Sequence, residues 1–171
     1  ANASGHWSNR GFPLGLVYDS KMWIMGGYEG GDLNDVWSSS DGINWTQVST
    51  NAPVSSQNTA MVFNNKMWVV AGWTLVTSSE VYYSSDGSTW TQSTSNLGAG
   101  SFGHSAASTS SMLWVFGGNY GSSNLSWYSS DGITWSSLSF PSGTYNRSNS
   151  NNVIFDGTIW LAGANKVWKL K

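Results

Sequence analysis

Cysteine is absent from this chain of 171 residues, and charged residues make up only 9% of it. A chain without cysteine has no disulfide, no thiolate metal site and no cysteine nucleophile. The formal net charge is −2, and Lys and Arg together number only 7. Because so few basic residues cannot form a strongly cationic surface, we expect neither nucleic-acid binding nor membrane insertion. Apolar runs of about 20 residues, which a membrane-spanning helix requires, are missing as well.

The side chains that enzymes commonly use are also scarce. The chain has two His, two Arg, two Glu and seven Asp. A catalytic or metal site needs several such groups close together. We therefore expect a protein that is not an enzyme and that carries no cofactor and no metal ion.

Aromatic residues, in contrast, are abundant at 15% of the chain, and 12 of them are Trp. Many of these Trp recur at a spacing of 45 or 46 residues, and the residues around them recur as well. The first series comprises Trp23, Trp68, Trp114 and Trp160. A second series, Ser-x-Asp-Gly-x-x-Trp, contains Asp41, Asp86 and Asp131. A fixed period of this length indicates a tandem array of one supersecondary unit.

Each unit predicts four short β-strands and no helix. In the second unit we expect strands at residues 61–63, 66–72, 80–84 and 89–93. Asn64-Asn65 and Asp86-Gly87 are typical hairpin turns because Asn and Gly tolerate positive φ. Consecutive apolar residues in the second strand indicate a sheet that is covered on both faces. The chain is therefore expected to be one all-β domain, residues 1–171, with units at about 10–54, 55–99, 100–145, and 146–171 plus 1–9.

These motifs resemble those of the kelch-type β-propeller family, which includes the central domain of galactose oxidase. A pair of small residues follows the second strand of each unit: Gly26-Gly27, Ala71-Gly72, Gly117-Gly118 and Gly163-Ala164. The Ser-x-Asp-Gly-x-x-Trp turn also resembles the Asp-box of sialidase-like propellers, shortened by one residue. The resemblance implies a β-propeller with four four-stranded blades. The resemblance does not extend to the chemistry of the enzymes in these families. The sialidase resemblance implies three Arg that hold the substrate carboxylate, and this chain has two. The galactose oxidase resemblance implies a Tyr–Cys crosslink, and this chain has no Cys.

The fourth unit ends before its Asp-Gly turn and its last strand. Residues 4–8 are similar to the fourth-strand segment at residues 133–136, so we expect the N-terminal segment to complete the last blade, with Trp7 in the vacant Trp position. The ring would then be closed without an open sheet edge. Two alternatives are a half-ring that dimerises into eight blades and a fragment of a longer chain.

The acidic residues and one histidine each allow a structural and a functional interpretation. The repeated Asp residues are expected to accept backbone hydrogen bonds and fix their turns. Glu29, Asp32 and Asp35 could be a solvated loop, weak calcium ligands, or paired carboxylates for glycoside hydrolysis. His104 follows Gly103 at a position where kelch-type repeats often have Gly-His, and a packing or hydrogen-bonding role is favoured over a ligand role.

The long loops after the second and fourth strands should lie on one rim of the propeller, where binding residues tend to be found. Three units place an aromatic residue just beyond the Gly pair. The candidate ligand-binding residues are Tyr28, Trp73, Asn119, Tyr120, Arg10, Arg147 and His104. Aromatic rings with nearby amides and guanidinium groups suit glycans, and they also suit a protein contact. The rings could alternatively just pack over the bases of the loops.

We therefore predict a non-catalytic, extracellular module that binds a glycan. The first alternative is a structural subunit of an extracellular complex or filament, with a protein partner or with other copies of the chain. The second is a fragment of a larger propeller enzyme. A surface rich in Ser, Thr, Asn and Gly favours the extracellular location.

Overall fold

A computed structural model describes residues 6–73, 77–97, 103–118, 125–139, 151–163 and 166–170. These residues form fifteen β-strands in four antiparallel sheets, and no helix occurs among them. The all-β prediction is thus confirmed. Within these ranges no helix is long and apolar enough to cross a membrane.

Each sheet is built from strands that follow one another along the chain. Sheet I contains β1 (Leu14–Tyr18), β2 (Lys21–Tyr28), β3 (Asp32–Ser39) and β4 (Thr46–Ser49). Sheet II contains β5 (Thr59–Phe63), β6 (Lys66–Trp73), β7 (Thr77–Ser84) and β8 (Thr91–Gln92). Sheet III contains β9 (Ser105–Ser108), β10 (Leu113–Phe116), β11 (Leu125–Ser129) and β12 (Ser136–Ser139). Sheet IV contains β13 (Asn151–Phe155), β14 (Thr158–Gly163) and β15 (Lys166–Lys169).

The hairpin between β5 and β6 forms at the predicted Asn64-Asn65 turn. Both residues have positive φ, 47° and 53°, which matches the right-handed twist of the flanking strands. The third strand of this sheet begins three residues before the predicted start, at Thr77. The fourth, Thr91–Gln92, is shorter than predicted.

The sheets pack in series, with their first strands side by side: β1 next to β5, β5 next to β9, and β9 next to β13. This arrangement explains the run of apolar residues in strand β6. Met67 and Val69 belong to the core between sheets I and II, whereas Trp68 and Val70 belong to the core between sheets II and III. Because successive side chains point to opposite faces, a strand covered on both faces must be apolar at every position. A third core, containing Phe116 and Leu161, joins sheets III and IV.

The repeated Asp residues fix their turns as expected. In sheet II, Asp86 Oδ1 accepts hydrogen bonds from the backbone N–H groups of Ser88 (2.8 Å) and Thr89 (2.7 Å). The hydroxyl of Ser84 donates to the same carboxylate and accepts from Gly87 N–H. Trp90 Nε1 closes the turn by donating to Gly87 O (3.1 Å). The turns at Asp41 and Asp131 repeat this pattern.

These turns also connect neighbouring sheets. The Trp68 ring of sheet II lies so close to Gly132 of sheet III that a Cβ there would be 2.1 Å from the ring. The Trp23 ring of sheet I has the same relationship to Gly87 of sheet II, at 2.3 Å. Each ring is held by an indole N–H that donates to a backbone oxygen, at Tyr18 for Trp23 and at Phe63 for Trp68. Glycine is therefore required here by space as well as by φ.

The predicted closure by the N-terminal segment is wrong for the part of that segment that the structure describes. Residues 6–10 form no strand, and sheet IV has three strands. The Trp7 ring packs edge-on against Trp45 of sheet I, with 4.6 Å between ring centroids. An aromatic contact near in sequence outcompetes pairing with a distant sheet edge, because it requires less chain ordering. Residues 4 and 5 lie outside the described ranges.

Candidate functional site

The rim at the end of the second strands holds the sequence-predicted aromatic positions. A register shift between Met25 and Gly27 in sheet I recurs between Val70 and Gly72 in sheet II. After each shift the last strand residue pairs with the first residue of the third strand, Tyr28 with Asp32 and Trp73 with Thr77. Tyr28 and Trp73 therefore occupy equivalent positions, as the repeat predicted.

Tyr28 presents an exposed aromatic ring at this rim. Its side chain is 49% exposed, while its backbone makes two 2.9 Å hydrogen bonds with Gly11. The close approach of the backbone segments at Gly11 and Tyr28 depends on Gly27, whose φ is 109° and whose Cβ would lie 2.8 Å from Gly11 O. The ring is thus held on a rigid strand end and remains accessible to a ligand.

Arg10, a predicted ligand residue, is used inside the protein instead. Its side chain is 2% exposed and forms an ion pair with Asp35. It also donates hydrogen bonds to Asp35 Oδ2 (2.9 Å) and Gly26 O (2.9 Å). Trp37 Nε1 donates to the same carboxylate at 2.7 Å. Arg10 ties the N-terminal segment to the start of the Gly pair and offers no guanidinium face to a ligand.

The pKa of Asp35 reflects these contacts. Burial alone would raise it, but the hydrogen bonds from Arg10 and Trp37 and the nearby positive charge outweigh burial. The net result is a lowered pKa, so Asp35 is ionised at neutral pH. A carboxylate held in this way is a poor proton donor for glycoside hydrolysis.

The acidic residues Asp32 and Asp35, which are close in sequence, have two separate structural roles. Asp32 Oδ1 accepts hydrogen bonds from the Ser56 hydroxyl (2.7 Å) and from its backbone N–H (3.1 Å), which links sheet I to the entry of sheet II. Asp35 is paired with Arg10 as described. Within the described residues no three His, Cys, Asp or Glu side chains are grouped to hold a metal ion. Of the interpretations of this loop, structural contacts account best for Asp32 and Asp35.

His104 is buried between sheets II and III. Its Nε2 lies 3.2 Å from Val70 O, and its buried Nδ1 has no hydrogen-bond partner among the described residues. Burial lowers the pKa of this imidazole to about 4, so it is neutral under ordinary conditions. These contacts give His104 a packing role, and at 7% exposure it is not accessible to a ligand.

The remaining predicted ligand residues are only partly covered by the structure. Asn119, Tyr120 and Arg147 lie outside the described residues. For Trp73 the backbone position is described, at the end of β6. Tyr28 is therefore the one predicted ligand residue whose described side chain is available at the rim.

Sequence reasoning missed a groove between sheets I and II. Its walls are formed by Asn51, Ala52, Pro53, Tyr82, Ser88 and Trp90. Tyr82 donates a hydrogen bond to Glu80 Oε2 (3.0 Å), and burial followed by the contact with Glu80 raises the pKa of its hydroxyl. The available signal was Tyr82 itself, since sheets I and III have Trp37 and Trp127 at the corresponding positions.

Two apolar sheet faces lie open at the ends of the series. The sheet IV open face comprises Val153, Phe155, Trp160 and Val167, and it lies opposite Ile159 and Leu161, which face sheet III. The sheet I open face comprises Val17, Met22 and Trp45, on the side away from sheet II. Val17 is 68% exposed and Phe155 is 70% exposed. Sequence reasoning assigned no function to either face.

Comparison with known proteins gives information on the fold alone. No protein-family model and no curated protein matches the chain. In contrast, 157 chains of known structure are similar to it. A solved structure of YjhT has a TM-score of 0.77 and 13% sequence identity over 90% of this chain. This chain spans 58% of the YjhT chain.

Proposed function

We propose that this chain is a non-catalytic, extracellular β-propeller module of the kelch type, and that its long-loop rim binds glycans through Tyr28 and the equivalent Trp73. The observation that carries this proposal is the half-exposed Tyr28 ring at a fixed strand end, repeated by the register of Trp73.

Three features support the propeller arrangement. The sheets follow the chain in series, their first strands lie side by side, and apolar cores fill the spaces between neighbours. Blades of a propeller pack in this way around a central axis. The Ser-x-Asp-Gly-x-x-Trp turns form with the same hydrogen bonds in three sheets, which supports the relation to kelch-type and Asp-box repeats.

The non-catalytic assignment rests on where the ionisable groups are used. Asp35 and Arg10 neutralise each other, and Asp32 holds Ser56. The three turn carboxylates accept backbone hydrogen bonds, which lower their pKa values and keep them ionised. The lowered pKa values of Asp35 and of the three turn carboxylates are the opposite of the raised pKa that a general acid requires.

Glycan binding is favoured by the chemistry of the Tyr28 rim. An exposed aromatic ring offers an apolar face on which the C–H face of a sugar ring can be buried, and its hydroxyl can hydrogen-bond to sugar hydroxyls. Glu29, in the loop that follows Tyr28, is exposed and can accept hydrogen bonds. The low charge of the chain favours a neutral ligand, which needs no counter-charge.

A glycan array followed by titration of the best glycan tests this proposal. We expect wild-type binding in the micromolar to millimolar range, a loss of about five- to tenfold for Tyr28→Ala because a stacking contact contributes roughly 1–1.4 kcal/mol, and near-wild-type binding for Tyr28→Phe. Ile133→Ala, an exposed apolar residue on a turn of sheet III, is the control that should bind normally. Binding that Tyr82→Ala abolishes and Tyr28→Ala leaves intact would place the ligand in the groove between sheets I and II. The absence of binding to any glycan at millimolar concentration would overturn the proposal.

A further inference from the structure

The two open faces are the two halves of an interface that the protein already contains three times. Along the chain, each sheet covers the following face of the sheet before it. Among the described residues, no following sheet packs on the sheet IV open face and no preceding sheet packs on the sheet I open face. The faces are therefore expected to be complementary to each other, because they are repeats of surfaces that pack together elsewhere in the molecule.

The tryptophan contacts make this complementarity specific. Trp23 lies over Gly87 and Trp68 lies over Gly132, each in the Asp-Gly turn of the next sheet. Gly42, in the equivalent turn of sheet I, has no indole ring of the described residues over it. The nearest atom to its Cβ position is the flexible end of Met22, at 3.0 Å. Gly42 thus has the conformation of a ring-receiving glycine, with φ of 72°, but lacks the ring.

Trp160 is the matching ring without a glycine. Its indole Nε1 is buried with no hydrogen-bond partner in the part of the chain that the structure describes, and its ring lines the apolar sheet IV open face. Lys169 lies over this ring, 5.4 Å from the centroid. The receiving turn carries the ionised Asp41, whose pKa is lowered by backbone hydrogen bonds. The two faces therefore carry opposite charges beside their apolar surfaces.

The N-terminal segment leaves room for such a contact. Trp7 covers Trp45 at the fourth strand, while Val17 on the first strand and Met22 on the second remain exposed. These strands correspond to the part of sheet II that packs against sheet I through Ala60, Val62 and Met67. The accessible part of the sheet I open face is thus the part that a neighbouring sheet uses.

We propose that a second copy of this chain docks on these faces, with the sheet IV open face of one copy on the sheet I open face of the other and Trp160 over Gly42. Two such contacts related by a two-fold axis close a ring of eight sheets from two copies. This self-association goes beyond the proposed glycan binding and does not depend on it, since Tyr28 lies on the rim and belongs to neither face.

The mass of the purified chain in solution, measured by light scattering and sedimentation from micromolar to near-millimolar concentration, tests the proposal. We expect twice the chain mass for the wild type. Val167→Glu places a charge on an exposed residue of the sheet IV open face, and Gly42→Ala puts a methyl group where Trp160 would sit. Each variant should give the mass of a single chain, and its dimer dissociation constant should be at least tenfold larger than that of the wild type.

Matched controls separate this contact from general effects of the substitutions. Ile133→Glu adds the same charge at another exposed residue, and Gly30→Ala imposes the same backbone strain where no atom lies within 4 Å of the Cβ position. Both controls should keep the wild-type mass. A wild type that remains a single chain at every concentration would overturn the proposal, whether its faces are closed within the chain or covered by sheets of a longer protein. A dimer that Val167→Glu and Gly42→Ala leave intact would overturn it as well, whereas a larger assembly that both variants dissolve would support it.

Discussion

The ring of Trp68 in sheet II lies directly over Gly132 in sheet III, so that a Cβ at Gly132 would come within 2.1 Å of the indole. One contact therefore joins two features that recur in the sequence, the Trp of the second strand and the Gly of the Asp-Gly turn. The turn supplies a flat, Cβ-free surface, and the Trp ring of the preceding sheet packs against it. This pair positions sheet II against sheet III, and Trp23 with Gly87 does the same for sheets I and II.

The buried ion pair provides a first prediction about stability. Arg10→Ala should destabilise the protein by about 2 kcal/mol, because it leaves Asp35 partly buried without its cation; the cost is below that of a completely buried pair, since Asp35 is 17% exposed. Chemical denaturation should measure this loss. In an Asp35→Asn background the same Arg10 substitution should cost clearly less, and an equal cost in both backgrounds would show that the pair is not coupled.

His104 predicts a specific pH dependence of stability. Its pKa falls from 6.5 to about 4 on folding, so the unfolded chain takes up a proton between these values while the folded protein does not. The free energy of unfolding should therefore decrease as the pH falls from about 6.5 to 4 and be unaffected by His104 above this window. His104→Asn, which introduces the residue found at the equivalent Asn58, should flatten this part of the curve. Denaturant unfolding at closely spaced pH values checks it; an unchanged slope in the variant would assign the dependence to other groups.

The turn aspartates predict a second effect at lower pH. The pKa values of Asp86 and Asp131 are lowered in the folded state by backbone N–H groups, so their stabilisation is complete above the unfolded value near 3.8 and is lost as the pH falls below it. Asp86→Ala should lower stability at neutral pH by roughly 1–2 kcal/mol, because two backbone donors lose their acceptor. Ser85→Ala, at an exposed neighbouring residue, is the control. An Asp86→Ala variant with unchanged stability would show that the turn forms without its carboxylate.

The sequence was most informative where structure is determined by local contacts. Asn64-Asn65 and the Asp86 turn were predictable because their φ preferences and hydrogen bonds involve residues at most three positions apart. The burial of both faces of β6 was predictable from its run of consecutive apolar residues. The partner of Arg10 could not be predicted, because Asp35 is 25 residues away and only folding brings it close. Likewise, Trp7 matched the vacant position of the fourth unit by pattern, but its packing on Trp45 depends on three-dimensional proximity that a repeat does not encode.

The same distinction applies to the candidate site. Equivalence of Tyr28 and Trp73 follows from the repeat and was predicted. The loss of Arg10 and His104 as ligand residues follows from their burial between elements, which residue type alone does not predict. The open faces were not recognised because, in sequence, Trp160 has the same surroundings as Trp23 and Trp68; only the packing shows that it has no glycine beneath it.

The most direct measurement is the difference in unfolding free energy between Gly132→Ala and Gly42→Ala, both in a Val167→Glu background that prevents self-association. The two glycines have nearly equal φ, 76° and 72°, so the backbone strain of about 1 kcal/mol cancels in the comparison. Of these two glycines, Gly132 has the Trp68 ring over it, whereas the nearest described atom to the Cβ position of Gly42 is the end of Met22. We predict that Gly132→Ala costs about 1–3 kcal/mol more than Gly42→Ala, the usual penalty for forcing a methyl group into a packed interface. Equal costs would contradict the account, because they would mean that Trp68 does not hold sheet II against sheet III and that Gly42 has no vacant position for Trp160.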